Sequence, residues 1–222
     1  MKNNRLFALC FRSVAFLLCL AGILDMLGVF SGTFSPVTLL YYTTESNILV
    51  MVVFGILLVR TALQIKRAGI HGRVSGLERL SAVTALAITV TMLIFWGLLA
   101  PVSNAGFLFS YMNLQVHTFT PLLMLADFFL FAEPGKLKLR DPWIFAALPI
   151  WYLIQSSVLG FSGLVNYGAG GFSAPSARFP YFFIDFDQLG ARVFIYVAVI
   201  TVFFIALAYL FLWIDRRRAA RR

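Results

Sequence analysis

Six stretches of nearly continuous apolar sequence dominate this chain: residues 6–31, 36–65, 80–100, 115–132, 143–161 and 190–214. A helix that crosses a bilayer needs roughly 20 apolar residues, because the hydrocarbon core is about 30 Å thick and a helix rises about 1.5 Å per residue. Each run meets or nearly meets that length. The chain has 222 residues, of which 61% are hydrophobic and 12% charged, and its mean hydropathy is +0.89. Soluble domains carry about twice that share of charge, and no water-soluble core of this size could hide so much apolar surface. The expected fold is all-α: one domain over residues 1–222 built from six transmembrane helices. No soluble domain, low-complexity segment or internal repeat is evident. The first run is too long for a signal-peptide core, and no small-residue cleavage site follows it, so it reads as a retained helix.

The formal net charge is +9, and its placement sets an orientation. Lys2, Arg5 and Arg12 lie at the start. Arg60, Lys66, Arg67, Arg73 and Arg79 surround the connection between the second and third runs. Lys136, Lys138 and Arg140 lie between the fourth and fifth, and Arg216, Arg217, Arg218, Arg221 and Arg222 close the chain. The alternate connections hold only Arg178 and Arg192. Basic loops stay cytoplasmic, so both termini are expected to face the cytoplasm of a bacterial cell, with the basic C-terminus resting on anionic headgroups. No basic stretch carries a nucleic-acid reading motif, so a nucleic-acid partner is not expected. Cys10 and Cys19 fall on one helix, too far apart for a local disulfide, and read as small packing residues. With no further sulfur ligands they suggest no metal site, and no cofactor is expected.

Polar residues inside the runs carry the functional signal. The stretch YYTTESNILV, residues 41–50, places Thr43, Thr44, Glu45, Ser46 and Asn47 at the edge of a long apolar run. Ser35 and Pro36 suit an N-cap and first helical position, which would put this cluster two to three turns inside the second helix. At about 100° per residue, Thr43, Ser46 and Asn47 share one face, and Glu45 points roughly opposite Thr43. Asp25 on the first helix and His117 on the fourth fall at the same extracytoplasmic depth. Asp127 lies about 15 Å deeper along the fourth helix. Pro121 lacks the N–H that would bond to the His117 carbonyl, so a bend and a cavity are expected there. Threonine and serine in membrane helices usually bond back to their own backbone or join helices. An intramembrane histidine is rarer and points to function. Burial would favour a protonated Glu45. Arg12 and Arg60 are placed to snorkel, and His71 to be solvated in a cytoplasmic loop. RFPYFFIDFDQLG, residues 178–190, reads either as an interfacial aromatic belt or as a lid over an outer cavity.

Three stretches together resemble the androgen-induced-protein family of six-helix membrane hydrolases, and in particular its bacterial integral-membrane branch. YYTTESNILV is similar to its aromatic, Thr, two residues, Ser, Asn pattern. VHTFTPLL is similar to its histidine followed shortly by proline. FPYFFIDFDQLG is similar to its aromatic stretch ending in Asp before the last helix. The likeness covers nearly the whole chain. Glu45 departs from the glutamine expected in bacterial relatives, and the His117–Pro121 spacing is one residue shorter than in an animal member. Animal members hydrolyse fatty acid esters of hydroxy fatty acids with a threonine and a histidine. The resemblance implies Thr43 as nucleophile, with Thr44 the alternative, and His117 as base.

In such a mechanism His117, with an unperturbed pKa near ~6.5, would take the Thr43 proton during attack on an ester carbonyl. Ser46 and Asn47 are candidate oxyanion donors. Asp25 or Asp185 could orient the histidine, and Arg178 or Arg192 could grip an anionic group at the outer surface. The expected partners are a lipid substrate and membrane lipids. Two other function classes fit the composition. Asp25, Glu45, His117 and Asp127 could relay protons in a transporter, and the polar face of the second helix could merely join helices in a structural protein.

Overall fold

The computed structural model describes residues 4–74, 76–168 and 176–221. Six helices are long and apolar enough to cross a membrane: α1 (Arg5–Met26), α2 (Tyr42–Ala68), α3 (Glu78–Val102), α4 (Tyr111–Phe131), α5 (Asp141–Ser162) and α6 (Phe186–Ala220). Among the described residues there is no strand, only one isolated bridge between Asn4 and His71. The protein is an all-α, multi-pass membrane protein.

Helices α1 to α4 pack as a four-helix core, with α6 against α3 and against the start of α5. Helix α3 lies at the centre. Of its most apolar window 61% is buried, against 17% in α6. Phe194, Ile195, Val199 and Val202 of α6 are correspondingly exposed, as side chains that meet lipid should be. Small residues allow close approach inside the core. A Cβ on Gly22 of α1 would lie 2.6 Å from Cγ of Gln115 on α4.

One end of the bundle gathers both chain termini and the basic connections. Arg5 donates to the carbonyls of Ala68 (3.0 Å), Gly69 (3.0 Å), Arg73 (3.1 Å) and His71. These bonds satisfy acceptors that α2 leaves open at its C-terminus, where a cation is also favoured by the helix dipole. Asp215 near the end of α6 accepts from the backbone N–H of Gly135 (3.0 Å) and Leu137 (3.1 Å). Arg79 pairs with Asp141 at 3.2 Å, joining the starts of α3 and α5.

Arg12 does not snorkel. It is 4% exposed, and its Nε and Nη2 donate to the two carboxylate oxygens of fully buried Asp127 at 2.7 and 3.1 Å. Its Nη1 donates to Thr61 Oγ1 at 2.7 Å. A bidentate partner inside the bundle outcompetes the headgroups because it satisfies both charges at once.

Helix α2 begins at Tyr42 rather than at Pro36. Residues Pro36–Leu40 form a separate 3-10 turn, and Tyr41 is extended, with φ −88° and ψ 141°. Ser35 makes no side-chain cap bond. Proline suits the first position of either kind of turn, but 3-10 turns end after a few residues. Thr44 Oγ1 then donates to the Thr38 carbonyl at 2.5 Å and fixes the turn over the start of α2. Thr43 therefore stands in the first turn of α2, not two to three turns in. Similarly, α1 stops at Met26. The chain turns at Gly28, whose φ of +75° and 2.4 Å clearance between a built Cβ and the Thr33 carbonyl oxygen require glycine.

Candidate functional site

The site lies at the end of the bundle opposite the basic loops. Thr43, half-buried in the first turn of α2, meets buried His117 of α4. Thr43 Oγ1 lies 3.2 Å from His117 Nε2. His117 Nδ1 lies 3.3 Å from the Asn113 carbonyl oxygen. A carbonyl only accepts, so Nδ1 carries a proton, and in the neutral imidazole Nε2 then presents its lone pair. Nε2 therefore accepts from the Thr43 hydroxyl. The group that orients the imidazole is a backbone carbonyl one turn back, not an aspartate.

The histidine owes its position to an irregular helix. Gln115–Phe119 form a π turn, in which the Thr120 N–H bonds to the Gln115 carbonyl, five residues back. In that register Pro121 would pair with Val116, and proline has no N–H. The freed carbonyl is thus that of Val116, not His117 as an α-helical count implies. Asn47 Nδ2 donates to it at 3.2 Å and to the Thr43 carbonyl at 2.8 Å. Asn47 closes the gap left by Pro121 and ties α2 to α4 beside the Thr43–His117 pair. A second π turn, Phe95–Leu99 of α3, faces the first. The Phe95 ring stacks on His117 with centroids 3.7 Å apart and planes 18° apart, and Trp96 Nε1 donates to Thr118 Oγ1 at 3.1 Å.

Several expected roles do not match this geometry. Both Asn47 Nδ2 hydrogens are committed to carbonyls, and Ser46 Oγ lies 3.1 Å from the Thr43 carbonyl and 2.8 Å from Thr91 Oγ1. Neither is free to face an oxyanion; on a helix these short side chains reach the preceding turn first. Asp185 caps the turn at Phe186–Leu189, accepting from the N–H groups of Asp187 and Gln188, and also accepts from Ser176. Asp25 sits in the last turn of α1, and its carboxylate has no hydrogen-bond partner among the described residues. Neither aspartate bonds to His117. Arg178 Nη1 is paired with Asp187 at 3.0 Å, and its Nε donates to the Gly160 carbonyl. Arg192 is exposed at the start of α6. Glu45 points away from Thr43 and accepts from Gln155 Nε2 of α5 at 2.5 Å.

Beside the pair lies a cavity of ≈ 120 Å³. Thr43, Phe95 and Tyr181 line it, together with Val90, Ile94, Leu153, Val197 and Ile200. Helix rise places Val90 about 13 Å below Leu99 on α3, so the cavity runs from Thr43 toward the middle of the membrane. Ile150 lines it and is 47% exposed, which opens it toward lipid between α5 and α6.

The stretch 178–190 covers the Thr43 end of the cavity. Phe179, Tyr181, Phe183 and Ile184 are buried, and the last three line the cavity. It is a lid rather than an interfacial belt. A Cβ on Gly160 would come within 2.2 Å of the Phe179 ring, so the glycine lets the lid lie flat on α5. Tyr181 is the residue that sequence reasoning passes over. Its hydroxyl oxygen accepts from the Thr43 backbone N–H at 3.5 Å. Its aromatic neighbours look like packing residues in sequence, and only the lid's fold brings its hydroxyl to Thr43. Among the described residues no group of three or more His, Cys, Asp and Glu side chains converges to hold a metal.

Compared with protein-family models, with curated proteins and with solved structures, the chain matches none.

Proposed function

We propose that this protein is an intramembrane lipid-ester hydrolase with Thr43 as nucleophile and His117 as general base. The observation that carries this reading is the 3.2 Å approach of Thr43 Oγ1 to His117 Nε2, with Nδ1 held on a carbonyl so that Nε2 accepts. A threonine hydroxyl is a poor nucleophile unless a base within hydrogen-bond reach removes its proton. Thr43 Oγ attacks the ester carbonyl carbon while its proton passes to His117 Nε2. The carbonyl electron pair moves onto oxygen, then returns to expel the alcohol, which takes the proton from His117. Water repeats the sequence on the acyl-threonine, releasing the fatty acid and restoring the hydroxyl.

The apolar cavity, open to lipid, supports a fatty-acyl ester entering sideways from the bilayer. The resemblance to the androgen-induced-protein family points the same way. The basic end faces the cytoplasm of a bacterial inner membrane in this reading, which sets the site near the outer face. A proton-coupled transporter is less well supported, because Asp127, the deepest carboxylate it would use, is locked to Arg12.

The test is hydrolysis of a panel of fatty-acyl esters by the purified protein in detergent. Wild type turns over; folded Thr43→Ala and His117→Ala do not; and a lipophilic fluorophosphonate labels Thr43 only in wild type. Full turnover by folded Thr43→Ala would overturn the reading.

A further inference from the structure

If Thr43 and His117 carry out this chemistry, the negative charge that develops on the ester carbonyl oxygen needs hydrogen-bond donors aimed at it. The two polar side chains nearest to Thr43 on its own helix, Ser46 and Asn47, are committed elsewhere. We infer that the Tyr181 hydroxyl and the backbone N–H of Thr43 together form the oxyanion site. This deepens the hydrolase reading and rests on it.

Four observations converge. The first is position. The Tyr181 hydroxyl lies at Thr43, and both residues line the cavity, where an ester carbonyl must sit beside them for Thr43 to reach it. The second is the state of the Thr43 N–H. It stands in the first helical turn, where backbone donors have no partner within the helix. Its present acceptor is the Tyr181 hydroxyl oxygen at 3.5 Å, a long contact that a charged oxygen would displace. The positive end of the α2 dipole adds to the pull on that charge.

The third is rigidity. The Tyr181 ring stacks on Phe183, with centroids 5.2 Å and planes 4° apart, and packs edge-on to Tyr41 at 5.7 Å. The hydroxyl is thus fixed before substrate arrives, which is what makes such a donor effective. Burial also pushes its pKa up to about 12, partly offset by hydrogen bonds with Thr43, so it remains a donor at any ordinary assay pH. The fourth is an unfilled partner. The Tyr42 hydroxyl, next in sequence to the nucleophile and on the same cavity, is buried and has no hydrogen-bond partner among the described residues. A buried hydroxyl without a partner is costly, a penalty that a polar atom of bound substrate would relieve.

The balance of the step is that already given; Tyr181 and the Thr43 N–H donate hydrogen bonds to the carbonyl oxygen throughout and transfer no proton. Only the charge on that oxygen rises between ground and transition state, so their contribution falls on kcat.

The experiment compares wild type with Tyr181→Phe, which keeps the ring and removes the hydroxyl. The substrate is a p-nitrophenyl ester of a medium-chain fatty acid, and the matching alkyl trifluoromethyl ketone serves as mimic of the tetrahedral intermediate. Tyr181→Phe is expected to lower kcat by about 10²–10³-fold, to leave KM within about threefold, and to weaken the ketone by the same factor as kcat/KM. Binding of the corresponding non-hydrolysable ether stays unchanged. If Tyr181→Phe retains kcat within about threefold while Thr43→Ala and His117→Ala are inactive, the inference is wrong and the hydrolase stands. If folded Thr43→Ala turns over as wild type does, the hydrolase reading fails and takes this inference with it. Should Tyr181→Phe misfold, 2,3-difluorotyrosine at position 181 keeps the hydroxyl and lowers its pKa. An alkaline limb in kcat that moves down with the fluorinated residue supports the donor, and an unchanged pH profile overturns it.

Discussion

Removing the Asp127 carboxylate should be among the most damaging single changes to this protein's stability. Asp127 is fully buried and accepts two hydrogen bonds from Arg12, at 2.7 and 3.1 Å. Asp127→Leu leaves the Arg12 guanidinium buried with Thr61 as its remaining hydrogen-bond partner and the Phe131 ring 5.4 Å away, and a buried charge that has lost its counter-charge costs about 3–5 kcal/mol. Replacing both partners has a different effect. In Arg12→Met/Asp127→Leu no charge remains, and Thr61 Oγ1 keeps its bond to the Leu57 carbonyl at 2.6 Å, so no polar atom is orphaned. The double variant should lie within about 1 kcal/mol of wild type, or above it, because a buried ion pair barely recovers its own desolvation. Equilibrium unfolding in mixed micelles, followed by circular dichroism, measures all four corners of the cycle. A double variant as unstable as Arg12→Met and Asp127→Leu added together would refute the reasoning, as would an Asp127→Leu loss of under about 1 kcal/mol. Thr61 lies eighteen residues, or about 27 Å, along α2 from Thr43. Activity per folded molecule should therefore be the same in the double variant as in wild type.

Other changes probe the site's support. Asn47→Leu removes the donor to the Val116 and Thr43 carbonyls; a loss of about 1–2 kcal/mol is expected by thermal unfolding, together with a fall in kcat on the order of tenfold or more as His117 shifts. Gly160→Ala drives a methyl to within 2.2 Å of the Phe179 ring; overpacking of this kind costs about 1–3 kcal/mol, and limited proteolysis should show the 178–190 lid cleaved faster. Ile200→Trp fills the cavity from the α6 side and should raise KM for long acyl esters more than for acetyl esters, which steady-state kinetics would show.

The number of helices, the gathering of basic residues and the polar edge of the second run were legible from composition and periodicity, because bilayer thickness leaves few alternatives; the helix ends were not, since α1 stops at Met26 and α6 runs from Phe186 to Ala220. The pairing of Arg12 was not. Its position near a helix end suits snorkelling equally well, and only the packing of α1 on α4 brings it to Asp127. The start of α2 was misplaced for a related reason. Pro36 marks the first residue of a helical turn but cannot say whether the turn is 3-10 or α, and Thr44 decides by bonding to Thr38 instead of to its own helix.

The π turns explain why helical angles alone do not bring His117 to Thr43, although both residues stood out in the sequence. A π turn inserts one residue, and every side chain after it is rotated by about 100° relative to an ideal helix. His117 lies inside one such turn and Phe95 begins another. Depth along α4 is therefore legible from the sequence, whereas the direction of His117 is set by the π turn over Gln115–Phe119. The cost of each widened turn must be recovered locally: by Asn47 on the Val116 carbonyl, by Trp96 on Thr118, and by the stacking of Phe95 on His117. Those same contacts fix the imidazole plane and leave Nε2 facing Thr43. The asparagine in YYTTESNILV thus serves not as an oxyanion donor but as the group that makes the neighbouring helix's irregularity tolerable, and without that irregularity the threonine four residues before it would not meet His117.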